Sequence, residues 1–111
     1  ARLEHTISNL STGLFLAEHG VEVVLADAAS EIHYLTPGSE LTLPRGDWQY
    51  LSVFPWDGKL TGVDIEGAYY PLQNAELVPD FPIGVSNEFV EPAATLRCKT
   101  GHGLVVLTRA D

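Results

Sequence analysis

The sequence predicts an all-β domain, either a sandwich or a barrel, preceded by one helix. After Gly20, short β-branched or alternating segments follow one another, with turn residues at intervals of about 8 to 12 residues. No long helical pattern recurs between these segments, and this argues against a parallel α/β sheet. With 111 residues, 45% of them hydrophobic, the chain is large enough to form one domain with a core.

The predicted helix lies at the N-terminus, in the segment HTISNLSTGLFLAEHG, residues 5–20. Its apolar side chains recur at helical spacing and share one face, which comprises Ile7, Leu10, Leu14 and Ala17. Gly20 is suited to end the helix, because glycine readily adopts the left-handed conformation that follows a helix C-cap. Gly13 weakens the middle of this helix.

The remainder of the chain predicts short strands separated by turns. The strand-like segments are, in order, VEVVLAD, EIHYL, SELTL, WQYLSVF, LTGVDIEG, AYYPL, ATLRCKT and GLVVLTR. Turns are predicted at residues 36–38, 44–47, 67 and 101–103. We expect a hairpin around Gly67 and a tight connection between the last two strands. Within WQYLSVF, alternation places Leu51 and Val53 on one face of the strand.

The aromatic side chains are expected mostly in the core. Trp56 and Phe89 are exceptions, since each borders a predicted turn, where its ring could stack on a cationic heterocycle. Cys98 is the single cysteine, so no intrachain disulfide can form. Its place in the alternating segment ATLRCKT predicts a buried small side chain rather than a nucleophile.

Charge and hydropathy exclude several classes of partner. Six Lys and Arg against fifteen Asp and Glu give a formal net charge of −9, and the cations are scattered. Nucleic acids and anionic membranes would be repelled by this charge. No stretch approaches the roughly 18 apolar residues of a membrane helix, and the first residues are too polar for a signal peptide. The single cysteine, which can form no intrachain disulfide, fits a reducing, cytoplasmic setting, and we expect a cytoplasmic protein.

One polar cluster is a candidate binding element, although no catalytic or metal-binding motif stands out. The histidines match no zinc spacing, the acidic residues are dispersed, and no phosphate-binding glycine loop is present, so no metal ligands are predicted. The cluster is SNE, residues 86–88, within PIGVSNEFV. Ser86 and Asn87 can each donate and accept hydrogen bonds. These residues alone leave two interpretations open, a ligand-binding loop and a capped turn.

Four segments, taken in order, resemble the C-terminal half of thiamine pyrophosphokinase, also called thiamine diphosphokinase. They are TGV (61–63), GAYYPLQNAEL (67–77), IGVSNEF (83–89) and GHGLVVL (101–107). The start of the chain, RLEHTISNL (2–10), resembles an arginine–histidine segment of the same family. The resemblance covers nearly the whole chain in the right order and spacing.

The resemblance implies a two-part homodimeric enzyme that transfers pyrophosphate from ATP to thiamine, giving thiamine diphosphate and AMP. Residues 1–20 would be the last helix of a catalytic α/β domain that is otherwise absent and that would bind Mg²⁺ and ATP. Residues 21–111 would be the thiamine-binding domain, a β-sandwich of the jelly-roll type. The fragment alone is expected to be inactive.

The resemblance also implies substrate-binding residues. Ser86 and Asn87 match the family's thiamine-contacting pair, so their polar groups would hold the aminopyrimidine edge. Glu88 and Phe89 extend the same loop and are expected to line the thiamine site.

Two further residues are implied as catalytic. Arg2 matches an arginine near the phosphates, where its charge would stabilise the transfer. Glu4 stands where the family has aspartate. The extra methylene moves the carboxylate by roughly 1 Å, which can cost about 100-fold in rate if the group is catalytic.

Two alternatives to the enzyme interpretation remain from the sequence. One is a stand-alone β-sandwich that binds a small ligand without catalysis. The other is a dimerisation module in which SNE only caps a turn. The N-terminal RLEHTISNL segment favours the enzyme over both, because a stand-alone sandwich has no need of it.

Overall fold

One helix and nine strands form the described part of the chain, residues 2–27, 29–56, 58–79 and 87–109 of a computed structural model. For residues 2–7 the description is limited to the backbone. Helix α1 spans Arg2–Glu18. The strands are β1 (Val24–Ala26), β2 (Ser30–Leu35), β3 (Glu40–Pro44), β4 (Tyr50–Pro55), β5 (Leu60–Glu66), β6 (Leu72–Leu77), β7 (Asn87–Glu88), β8 (Ala93–Arg97) and β9 (Gly103–Thr108).

The strands form two antiparallel sheets that face each other across one core. Sheet A has the order β1-β2-β9-β4-β7, and sheet B has the order β3-β8-β5-β6. The core contains fully buried side chains from both sheets, among them Leu35, Leu51 and Val105 of sheet A and Ile65 and Leu96 of sheet B. The predicted all-β sandwich with one N-terminal helix is confirmed, and its jelly-roll subtype stays a prediction.

Strands that follow one another in the chain mostly lie in opposite sheets. The turns at residues 36–38 and 44–47 lead from sheet A to sheet B and back again. The connection expected at residues 101–103 is short and spans residues 98–102, but it joins no hairpin, because β8 pairs with β3 and β5 whereas β9 pairs with β2 and β4. The hairpin expected around Gly67 is confirmed by the antiparallel pairing of β5 with β6, but the predicted strand AYYPL is wrong, because residues 67–71 form the connection and β6 begins at Leu72.

Side-chain alternation is confirmed in the central strand β4. Leu51 and Val53 point into the core, whereas Phe54 is half-exposed on the other face. Cys98 is buried in the same core, as predicted, and burial raises the pKa of its thiol. The expectation that the aromatic residues lie mostly in the core is wrong for Tyr69 and Tyr70, which are exposed.

Helix α1 packs on the outer face of sheet A. Leu14 forms a second apolar cluster with Tyr34 of β2 and Leu104 of β9. The Tyr34 hydroxyl donates a hydrogen bond to the Leu10 carbonyl oxygen (2.7 Å). Gly13 faces the Tyr34 ring so closely that a Cβ there would overlap it. The glycine that weakens the helix is therefore what lets the helix approach the sheet.

Helix α1 ends at Glu18, in a glycine-dependent motif. Gly20 has φ +82°, and its N–H donates to the Ala17 carbonyl (3.1 Å), while the Val21 N–H donates to the Leu16 carbonyl (3.1 Å). These two bonds are the Schellman pattern, in which a left-handed residue turns the chain back over the last carbonyls. The predicted helix end at Gly20 is confirmed.

Candidate functional site

The predicted thiamine-binding segment includes one edge of sheet A. Asn87 and Glu88 form β7, which pairs with β4 through Leu51 and Tyr50, respectively. Glu88 is exposed, whereas the Phe89 side chain is 4% exposed and belongs to the core. Ser86 lies outside the described residues. The structure thus brings Asn87, Glu88 and Phe89 together in the order of the chain, with only Glu88 open to solvent.

A connection from the other sheet covers this edge. Residues 67–71 form the β5–β6 link, which belongs to the hairpin of sheet B. The Tyr69 N–H donates to the Glu88 carbonyl (2.8 Å), and the Val90 N–H donates to the Gly67 carbonyl (3.1 Å). Ala68 and Phe89 form an antiparallel bridge between these two bonds. The link therefore joins the two sheets and provides a partner for the Glu88 carbonyl of β7.

The Asn87 side chain continues this pairing. Its Oδ1 accepts hydrogen bonds from the N–H groups of Tyr70 (2.9 Å) and Glu88 (3.0 Å), and its Nδ2 donates to the Tyr70 carbonyl (2.8 Å). The residue is only 2% exposed. Since a buried amide without partners would be strongly unfavourable, these bonds explain how an asparagine is accommodated here.

An exposed pair of aromatic rings lies next to Asn87. Tyr69 and Tyr70 are each 62% exposed, and their rings meet edge-on with centroids 4.8 Å apart. The exposed Glu88 is bonded through its backbone to Tyr69. Ring faces and a nearby carboxylate are the groups that attract a cationic aromatic ligand. This edge of the molecule is therefore the candidate ligand site.

The sequence identified the β7 edge as the candidate site, but it did not identify Tyr69 and Tyr70 as the exposed rings there. Phe89 belongs to the core, and Trp56 packs partly buried against the cluster under α1. The consecutive residues Tyr69 and Tyr70 could have indicated an exposed ring, because two neighbouring side chains of an extended segment cannot both face the core. With a turn at Gly67 and a proline at position 71, the segment was better suited to a link than to a buried strand.

The two residues implied as catalytic lie elsewhere. Arg2 and Glu4 belong to the first turns of α1, and their side chains are outside the description. Helix α1 packs against β2 and β9, and β4 separates β9 from β7. Arg2 and Glu4 therefore lie on a different part of the domain from the β7 edge, and the catalytic roles of these two residues stay predictions.

Several acidic and histidine side chains in the described ranges make local contacts. Arg97 pairs with Glu40, Asp64 and Glu66 on sheet B. His33 contacts Glu31 (2.6 Å), and His102 contacts Glu18 (3.3 Å). Across the described residues no group of three or more potential metal ligands comes together. The groups present there do not fit a magnesium–ATP site.

No helix in the described part of the chain is long and apolar enough to cross a membrane.

Hydrogen bonding of the buried polar atoms bears on a binding role. Every buried side-chain nitrogen or oxygen that the structure describes has a hydrogen-bond partner. The described polar interior is therefore satisfied without a ligand.

Several solved thiamine pyrophosphokinases share this fold along the whole or nearly the whole of this chain. Thiamine pyrophosphokinase from Bacillus subtilis superposes with a TM-score of 0.90 at 20% identity, over 100% of this chain and 52% of that chain. A thiamin pyrophosphokinase family protein from Enterococcus faecalis gives a TM-score of 0.81 at 27% identity, over 100% and 52%. Thiamin pyrophosphokinase from Candida albicans gives 0.81 at 13% identity, over 99% and 41%.

The sequence profile of the thiamin pyrophosphokinase vitamin B1 binding domain matches residues 39–104, more than half of the chain. The chain belongs to this family. It spans about half the length of the bacterial structures that it matches. Among curated proteins, no sequence matches it.

Proposed function

We propose that this chain is the thiamine-recognition part of a thiamine diphosphokinase. The intact protein would transfer pyrophosphate from ATP to the thiamine hydroxyl, giving thiamine diphosphate and AMP. The observation that carries the proposal is the family match over residues 39–104. The aromatic edge formed by Tyr69, Tyr70 and Glu88 supports it.

The chemistry of the edge suits thiamine, which joins a cationic thiazolium ring to an aminopyrimidine. An exposed tyrosine ring attracts such a cation by about 0.5 to 2 kcal/mol, depending on how far water is excluded. The carboxylate of Glu88 adds attraction for the same charge, and the net charge of −9 favours approach of a cation over an anion. A ligand on this edge would touch ring faces and one carboxylate.

The catalytic half of the proposed enzyme would lie outside residues 21–111. Residues 1–20 would be the last helix of an α/β domain that binds Mg²⁺ and ATP, and Arg2 and Glu4 would act near the phosphates. The matched structures, about twice as long as this chain, leave room for such a domain. We further propose a cytoplasmic homodimer, with this chain inactive on its own. Release of AMP from ATP and thiamine by the chain alone would contradict the last point.

Calorimetric titration of thiamine into the chain tests the binding proposal. We expect saturable binding that Tyr70→Ala weakens by about 2- to 30-fold, the range that a lost cation–π contact implies. Phe15→Ala is the matched control, because Phe15 is 60% exposed but lies on α1, and this variant should bind as the wild type does. Absence of saturable binding to the wild-type chain would overturn the proposal and leave a β-sandwich without thiamine recognition.

A further inference from the structure

We infer that Asn87 is a positioning residue, which acts on the ligand through Tyr70 rather than by touching the ligand. The inference rests on the proposed function, because it assigns how the aromatic edge is held ready for thiamine. It differs from the expectation that the Asn87 amide holds the aminopyrimidine edge. Three features of the described structure carry it.

The first feature is that the Asn87 amide is already engaged. A side-chain carbonyl oxygen has two acceptor positions, and those of Asn87 are taken by the N–H groups of Tyr70 and Glu88. Its amino group donates to the Tyr70 carbonyl. One of its two amino hydrogens is used in this bond, and with 2% of the residue exposed the amide is shielded from a ligand at the surface.

The second feature is the register between the β5–β6 link and the β7 segment. Gly67 pairs with Val90, Ala68 with Phe89 and Tyr69 with Glu88, all through the backbone. The next antiparallel pair is Tyr70 with Asn87, and at this step the Asn87 side chain takes both backbone groups of Tyr70. The amide thus acts as one additional peptide partner and extends the ladder by one residue.

The third feature is that the residue held by this extension of the ladder, Tyr70, carries an exposed ring. Tyr70 is the last residue of the ladder, and its ring is 62% exposed. Pro71 follows it, so its backbone is already biased towards extended conformations. The Tyr70 N–H donates to Asn87 Oδ1, and Asn87 Nδ2 donates to the Tyr70 carbonyl. These two bonds anchor the Tyr70 backbone, so the direction of the ring depends on a side chain 17 residues further along the chain.

A double-mutant cycle separates this role from direct contact, with Asn87→Ala, Tyr70→Ala and the double variant titrated with thiamine. Tyr70→Ala removes the ring but keeps the peptide that Asn87 binds. We therefore expect Asn87→Ala to weaken thiamine binding by about fivefold when Tyr70 is present and by less than about 1.5-fold in the Tyr70→Ala background. Equal losses in both backgrounds would overturn the inference, because a direct contact does not depend on the ring.

Thermal unfolding of the same four proteins measures the structural cost of the lost hydrogen bonds separately from thiamine binding. Asn87→Ala should lower the Tm by a similar amount in both backgrounds, since the lost bonds are to the peptide. Without ligand, the Tyr70 amide proton should exchange faster in Asn87→Ala than in the wild type. Unchanged exchange would contradict the anchoring of Tyr70.

Asn87→Asp provides a second variant if Asn87→Ala does not fold. It keeps the shape and the acceptor for both N–H groups, but it places a carboxylate oxygen against the Tyr70 carbonyl. We expect weaker thiamine binding that again depends on the Tyr70 ring. Saturable binding by the wild type with additive variants would refute only the positioning role, whereas no binding by the wild type would refute the proposed function and this inference with it.

Discussion

Gly67 is a single residue on which the β5–β6 link depends. Its φ is +84°, a conformation that side chains rarely adopt, and a Cβ there would overlap the Ala93 carbonyl oxygen at the start of β8. The first residue of the link, Gly67, therefore packs directly against the backbone of β8. Gly38 has a similar φ of +77°, but open space surrounds the position of its missing Cβ.

These two glycines provide a matched pair of substitutions. Gly38→Ala should lower the free energy of unfolding by about 1–2 kcal/mol, the cost of a left-handed conformation for a residue with a Cβ. Gly67→Ala should lower it further, because the backbone of β8 must also move. Urea denaturation of both variants measures the difference, and equal losses would contradict the close approach of the link to β8.

Sheet B is held on its outer face by charged contacts between strands. Arg97 of β8 reaches Glu40 of β3 (2.9 Å) and both Asp64 (3.4 Å) and Glu66 (3.3 Å) of β5. Asp64 also accepts a hydrogen bond from the Asn74 N–H of β6 (2.8 Å). That backbone bond, supported by Arg97, holds the pKa of Asp64 below its usual value of 3.8.

The lowered pKa of Asp64 gives sheet B a defined acid sensitivity. Because the folded-state pKa lies below the unfolded value, the contribution of Asp64 to stability is complete above pH 3.8 and is lost as the pH falls through the folded-state pKa. Asp64→Asn should therefore flatten the fall of the free energy of unfolding below about pH 4. Urea denaturation at a series of pH values measures this slope.

Glu91→Gln is the control for the acid experiment. Glu91 is an exposed carboxylate between β7 and β8 that does not belong to the Arg97 ion pairs. Its substitution should leave the slope close to that of the wild type. If Asp64→Asn also leaves the slope unchanged, the Asn74 hydrogen bond does not lower the pKa of this carboxylate.

At the scale of the whole molecule, the net charge of −9 and the proposed aromatic edge would act on the same cationic ligand. A cation approaching the β7 edge experiences the field of the whole surface as well as the Glu88 carboxylate. Salt screens the distant charges first, since the screening length falls from about 30 Å at 0.01 M to about 8 Å at 0.15 M. Binding of thiamine should therefore depend on ionic strength.

Thiamine titrations at 0.01 M and 0.15 M salt test this dependence. We expect affinity to fall by about 2- to 5-fold over this range, the scale of one charge pair near a solvated surface. Glu88→Gln should weaken binding at both concentrations, whereas Glu91→Gln should alter it much less. An affinity independent of salt would show that ring contacts alone hold the ligand.

Much of the local structure follows from the sequence, since its causes are local. Alternation in β4 predicts which side chains face the core, as Leu51 and Val53 show. Gly20 marks the end of α1 through its own conformational freedom. The segments around residues 61–63, 67–77, 83–89 and 101–107 also carry the family resemblance, which the match over 39–104 confirms.

The pairing of strands and the partner of Asn87 were decided only by the tertiary structure. Period-two alternation identifies the apolar face of a strand but not its neighbour, because the backbone donors and acceptors of all strands are alike. β8 and β9 are therefore joined by a short connection and still lie in different sheets. From the sequence, Asn87 is likewise a polar side chain with no identifiable partner. Only the folded structure brings its amide to the backbone of Tyr70.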